Sequence, residues 1–230
     1  MAYEQTFILD EDDIEDPFAK ERAKMTLAPG EVPVVTRTEP GLTVTTIEVP
    51  AMCDPKVFHN FLNQLQLASG VVVLRGLGHS NWDKDLYMFQ SDLWTEICEV
   101  VDARQMFIVN IAKGDVRSHQ CTLAALADVS LATPDATFGF PEVRLGGLPA
   151  VAACMMRKRM GDESISRMLT TGEPIDAREA QRLGLVDFVG DVETELSRLI
   201  CRSCQPKVTK VMYKPDCERA WKYQEEAGRQ

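Results

Sequence analysis

Two largely apolar runs constrain this chain more than any other feature: "GVVVLRGLG" over 70–78, broken by Arg75, and "MFIVNIA" over 106–112, broken by Asn110. A strand with one face in water alternates apolar and polar residues. These runs do not alternate, so both faces of each strand must be covered. Between them, Asp85–Asp102 carries Leu86, Phe89, Leu93, Ile97 and Val100 at helical spacing. Upstream, "LTVTTIEV" reads as a strand. Asp54-Pro55 then opens a helix with Phe58, Phe61, Leu62, Leu65 and Leu67 on its apolar side. Strand, helix, strand, helix, strand implies right-handed crossovers and a largely parallel sheet.

The second half continues the α/β pattern. Cys121–Ala127 is a small-residue helix, and "VSLATPDATFGF" predicts a hairpin turning at Pro134-Asp135. Pro149–Met160 reads as a helix. "IDAREAQRLGLVDFV" holds a capping box (Asp176 with Glu179), a short helix, a glycine stop at Gly184 and a last strand. The strands expected in the sheets are Leu42–Val49, Val71–Arg75, Phe107–Ile111, Ser130–Ala132 and Leu185–Phe188. Residues 1–40 differ: "DEDDIEDPFAKERAK" is a charge run and "LAPGEVPVVTRTEPG" is rich in Pro and Gly. That segment reads as an acidic tail or linker with a short helix at Asp16–Lys24, and 41–230 as the folded domain.

Composition narrows the function classes. The 230 residues carry a net charge of -10, which argues against a nucleic-acid binder, since that would show a basic face. A phosphorylated ligand stays compatible, because a helix N-terminus or a local cluster of cations can bind one. The seven cysteines are an odd number in mostly apolar surroundings, the usage of buried free thiols in a reducing compartment. Cys201 and Cys204 have no second pair to complete a zinc set, so they read as two thiols near a helix end, and no metal site is expected. An acidic N-terminus and the lack of a long apolar run point to a soluble, intracellular chain, with the organelle left open.

"ADVSLATPDATFGFPEVRLGGLP" and "MLTTGEPIDAREAQRLGLVDFV" resemble the crotonase, or enoyl-CoA hydratase/isomerase, superfamily. The likeness is dense over 124–189 and in register over 41–123, where "VVVLRGLGHSNWDKDL" is similar to the family's "V-V-L-T-G-x-G-x-x-F-S-A-G-A-D-L". It implies a ββα spiral, here with a shortened C-terminal helical region. It also implies an acyl thioester as ligand, on coenzyme A or a carrier's phosphopantetheine, with no prosthetic group. In that family two backbone N–H groups stabilise an enolate and glutamates move protons. By resemblance, the first donor is the N–H of Trp82, with Asp83 and Asp85 beside it. The second is the N–H of His119, within Ser118-His119-Gln120, where the family has Gly-Gly-Gly. Glu142 matches the family's second glutamate, whereas Thr122 stands at the first.

The departures leave two functions open. Without a carboxylate at Thr122, two-glutamate hydration is disfavoured. Glu142 alone suits an isomerase or a lyase, including a decarboxylase, that works through an enolate. Side chains at Trp82, Asp83, Ser118, His119 and Gln120 crowd the place where backbone must approach the thioester. They favour the alternative of a non-catalytic structural or assembly subunit, a pseudoenzyme. Glu142 itself has a structural reading, bound to neighbouring backbone or to Arg144. His119 and Thr122 lie one helical turn apart, and a histidine at a helix N-terminus resists protonation. Arg157, Lys158 and Arg159 are candidates for coenzyme A phosphates or for a solvated helix face. The family's habit of trimerising implies a homotrimer through the helix at Pro149–Met160, or a heteromeric partner.

Overall fold

A computed structural model of the chain describes residues 34–39, 42–49, 55–79, 96–97, 99–101, 106–146 and 149–202. The predicted helix at Asp16–Lys24 lies outside them, as does most of the predicted helix at Asp85–Asp102, although 96–97 and 99–101 are helical. The described chain runs β1 (Val34–Glu39), β2 (Leu42–Glu48), α1 (Pro55–Leu67), β3 (Gly70–His79) and β4 (Met106–Arg117). It continues through α2 (His119–Leu126), β5 (Val129–Ala132), β6 (Thr137–Gly139) and a 3-10 turn at Pro141–Leu145. Then come α3 (Ala150–Met156), α4 (Asp162–Thr171), β7 (Ile175–Asp176), α5 (Ala177–Arg182), β8 (Phe188–Val189) and α6 (Val192–Arg202).

All these strands belong to one sheet, with a main path β1-β2-β3-β4-β5-β8. From β2 to β8 the neighbours are parallel, as the crossovers require. The sheet begins earlier than composition implies. Val34–Glu39 pairs antiparallel with β2, and Val35 joins the core although it lies within the expected tail. Residues 1–33 lie outside the described residues.

The apolar runs are explained by what covers them. Val72, Leu74 and Ile108 pack on one face with Phe58, Phe61 and Leu65 of α1. Val71, Val73, Phe107, Val109 and Ile111 pack on the other with Val192 and Leu196 of α6. Each such side chain contributes about 1.5–3 kcal/mol on burial. Leu67, expected on the apolar side of α1, is instead 79% exposed, because α1 ends there and its last residue turns away from the sheet.

Two local readings change. The segment from Val129 to Gly139 is not a hairpin. β5 runs parallel to β4 at Val109–Ala112, and β6 runs parallel to it further along, at Asp115–Arg117. Pro134-Asp135 is a jog in one direction of travel, with Ala136 N–H bonded to Thr133 O at 3.0 Å. The helix predicted to reach Met160 ends at Met156, and the chain continues in turns. The cap at Asp176 holds: its carboxylate accepts from Glu179 N–H at 2.8 Å, while the Glu179 side chain pairs with Arg182.

One glycine is required by contact. Gly78 has φ +115°, and a Cβ there would meet the Lys113 carbonyl oxygen at 1.3 Å. It sits where the β3–β4 register shifts, so the two backbones can cross closely at the end of the strand that leads to residue 80.

Candidate active site

The junction of β4 and α2 gathers most of the described candidate residues. Ser118 is the single residue between the strand and the helix, with φ 51° and ψ -119°. It is the one non-glycine residue at positive φ among those described. Such a conformation costs a side-chain-bearing residue of order 1–3 kcal/mol. The turn is held by its own backbone: Ser118 N–H donates to Gly139 O at 2.9 Å, and Ser118 O accepts from Cys121 N–H at 3.0 Å. β6 therefore positions the turn, because Gly139 pairs with Arg117 in the ladder.

Glu142 arrives from the 3-10 turn that follows β6, and only 1% of it is exposed. The Ser118 hydroxyl donates to Glu142 Oε2 at 2.6 Å. The other oxygen, Oε1, is buried and has no hydrogen-bond partner among the described residues. Burial holds the Glu142 carboxyl above its usual range, and the Ser118 hydrogen bond offsets part of that rise. The expected alternative partner, Arg144, is exposed and donates to the Thr171 carbonyl. The partner found is a serine 24 positions away.

His119, Gln120 and Thr122 are all buried on α2. The Gln120 side chain accepts from Gly78 N–H at 2.9 Å and so ties the start of α2 to the end of β3. Sequence reasoning missed this contact. Only the placement of a long amide where the family has glycine hinted at it. Trp82, Asp83 and Asp85 lie outside the described residues. Arg159 is a structural cation: it binds the Ala124, Ala127 and Gly184 carbonyls and pairs with Asp187. Arg157 pairs with Asp162 on the surface. Of the cysteines, Cys121 is buried with its thiol pushed up to about 12 by burial, whereas Cys154 is exposed, contrary to expectation, because it lies on the outer side of α3. Cys204 lies outside the described residues. Among the described residues no cluster of three His, Cys, Asp or Glu could hold a metal ion, and no helix is long and apolar enough to cross a membrane.

The His119 ring packs edge-on against Phe58 of α1, with centroids 5.8 Å apart. Burial lowers its pKa from 6.5 to about 4, so the ring is neutral in the fold. The unfolded chain binds the extra proton below about pH 6.5, and stability therefore falls as pH drops from there toward about 4. Between pH 7 and pH 5 the loss should be about 2 kcal/mol. Glu142 acts in the opposite sense, since a raised folded pKa favours the folded state in acid, above its ordinary value of 4.5. Urea denaturation at the two pH values should show the loss in the parent chain, and His119→Leu should remove it. Equal pH dependence in both would rule out His119 as the cause.

Comparison with known proteins identifies the family and the fold. A family model described as enoyl-CoA hydratase/isomerase matches residues 68–210. Over 93 residues the chain is 32% identical to cyclohexa-1,5-dienecarbonyl-CoA hydratase of Thauera aromatica, covering 40% of this chain and 36% of that protein. Over 108 residues it is 32% identical to 2,3-dehydroadipyl-CoA hydratase of Escherichia coli, covering 46% and 42%. The chain thus spans less than half the length of these curated relatives. Among solved structures, an enoyl-CoA hydratase/isomerase from Marinobacter aquaeolei superposes with TM-score 0.66 over 86% of this chain and 91% of that one, at 20% identity. An enoyl-CoA hydratase from Thermoplasma volcanium gives 0.64 over 78% and 81%, at 21% identity. At that identity the structures speak for fold alone, which is the crotonase-type α/β fold.

Proposed function

We propose that this chain, which belongs to the enoyl-CoA hydratase/isomerase family, binds an acyl thioester and moves a proton at the acyl α-carbon with Glu142 as its one carboxylate base. The observation that carries this reading is the Oε1 of Glu142, buried and without a hydrogen-bond partner among the described residues. A buried unsatisfied acceptor costs about 1–3 kcal/mol, a cost that a site for proton transfer recovers when its substrate arrives. Here one oxygen is held by Ser118 and the other is left for a proton. Burial makes that carboxyl a stronger base than it would be in water.

In this reading the thioester carbonyl accepts hydrogen bonds from the backbone N–H groups of His119 and, by resemblance, Trp82. The first lies at the start of α2, where the helix dipole adds to enolate stabilisation. Thr122 supplies no carboxylate, so the chemistry is a double-bond shift or a lyase step, decarboxylation included, rather than two-glutamate hydration. The thiol portion is coenzyme A or a carrier's phosphopantetheine.

The burial of Ser118, His119 and Gln120 and the bond from Gly78 N–H to Gln120 favour a second reading, a non-catalytic assembly subunit. Calorimetric titration with a medium-chain acyl-CoA separates the two. Binding in the micromolar range supports the enzyme, and no heat at millimolar ligand supports the subunit. The family's assemblies suggest a homotrimer or a heteromeric partner; a stable monomer by light scattering at micromolar concentration would count against the homotrimer.

A further inference from the structure

We propose that Ser118 is a nucleophile, and that with Glu142 it cleaves acyl thioesters through an acyl-serine intermediate. The inference rests on the reading above in taking an acyl thioester as ligand, but it adds a reaction that needs no enolate. Its basis is this chain's own departure from glycine. Ser118 occupies a sharp strand-to-helix turn at φ 51° and ψ -119°, between β4 and α2. A strained turn of that kind directs a serine side chain out of the line of both elements. Here the hydroxyl is directed onto Glu142 in a buried setting, with 1% of Ser118 exposed, so an acyl group must enter that interior to reach it. The backbone bonds to Gly139 and Cys121 hold the turn, so the direction of the Cα–Cβ bond is set by main chain.

Two further features complete the arrangement. The hydroxyl already donates to Glu142 Oε2 at 2.6 Å, within the range for a nucleophile and its base. The buried Oε1 of the same carboxylate has no partner among the described residues, leaving it available to a water. The next residue, His119, begins α2, at the end of the helix where the dipole is positive. An N–H directly after the nucleophile is well placed to receive the charge that develops on the carbonyl oxygen. Glycine would fit the turn without strain, and it would provide neither the nucleophile nor the contact to Glu142.

The step balances without an added oxidant or reductant. Ser118 Oγ bonds to the thioester carbonyl carbon as its proton passes to Glu142. The C–S bond then breaks, and the sulfur leaves as a thiol with the proton from Glu142. In the second half a water attacks the serine ester and gives its proton to Glu142. The C–Oγ bond breaks, and Oγ recovers a proton from Glu142. The products are a carboxylic acid and a free thiol.

The test combines thiol release from a medium-chain acyl-CoA with labelling by a fluorophosphonate, which traps nucleophilic serines. The full chain should release thiol and carry label on the peptide containing Ser118. Ser118→Gly relaxes the backbone and should stay folded, yet it should lose the label and slow thiol release about 10³-fold or more. Glu142→Gln should lose the label while keeping the serine. Unlabelled Ser118, or thiol release unchanged in Ser118→Gly, overturns the proposal. If α-proton exchange and acyl-CoA binding persist in that case, the proton-transfer reading stands alone. If no acyl-CoA binds, both fall.

Discussion

Replacing Glu142 by glutamine is expected to slow exchange of the acyl-CoA α-protons with solvent deuterium by roughly 10²–10⁴-fold, the contribution of a positioned acid/base group. The amide keeps the size and the contact to Ser118, since its oxygen can still accept from that hydroxyl. What it loses is the ability to take a proton. Binding of the acyl-CoA should therefore change little, and the loss should appear in the rate at saturation. The parent chain's exchange rate should rise with pH as Glu142 ionises, with a midpoint above 4.5 because burial raises its pKa. Thr122→Ala should have a far smaller effect, for no carboxylate is removed. Mass-spectrometric exchange assays on the three chains decide the matter. A Glu142→Gln chain that exchanges at the parent rate would exclude Glu142 as the base.

The second large effect concerns stability. Arg75, its side chain 5% exposed on β3, meets Glu193 of α6 through two hydrogen bonds of 2.7 Å. Lys113 adds a weaker, exposed contact to Glu193 at 3.5 Å. This pair anchors α6 over the Val71, Val73 and Val109 face of the sheet. Glu193→Ala should cost about 3 kcal/mol, the low end for breaking a buried ion pair, because Glu193 keeps some solvent contact. The double change Arg75→Met with Glu193→Leu should restore much of that loss, since apolar replacements remove the desolvation penalty from both sides. Urea midpoints of the three chains give the comparison. Equal midpoints for Glu193→Ala and the parent would mean that α6 is held by its apolar face alone.

Both predictions turn on contacts between residues far apart in the chain, and that separation marks the limit of what is legible locally. Short-range physics is written in the residues themselves. Largely apolar, non-alternating runs at 70–78 and 106–112 require strands covered on both sides, and both are central in the sheet. Asp176 followed by Glu179 closes a helix start with its own side chain. The resemblance over 124–189 names the family that the model match over 68–210 bears out. Strand pairing is different, because a ladder forms with whichever strand the fold brings alongside. The turn residues Pro134 and Asp135 signal a change of course equally well for a hairpin and for the observed jog along β4. Serine in a glycine position announces an anomaly. That its hydroxyl meets a carboxylate 24 residues on depends on β6 running beside the end of β4. The sequence by itself therefore determined the layers, the helix starts and the family. The tertiary structure decided which polar atoms meet inside those layers, since hydrogen bonds act only at contact distance and only folding brings these partners to it.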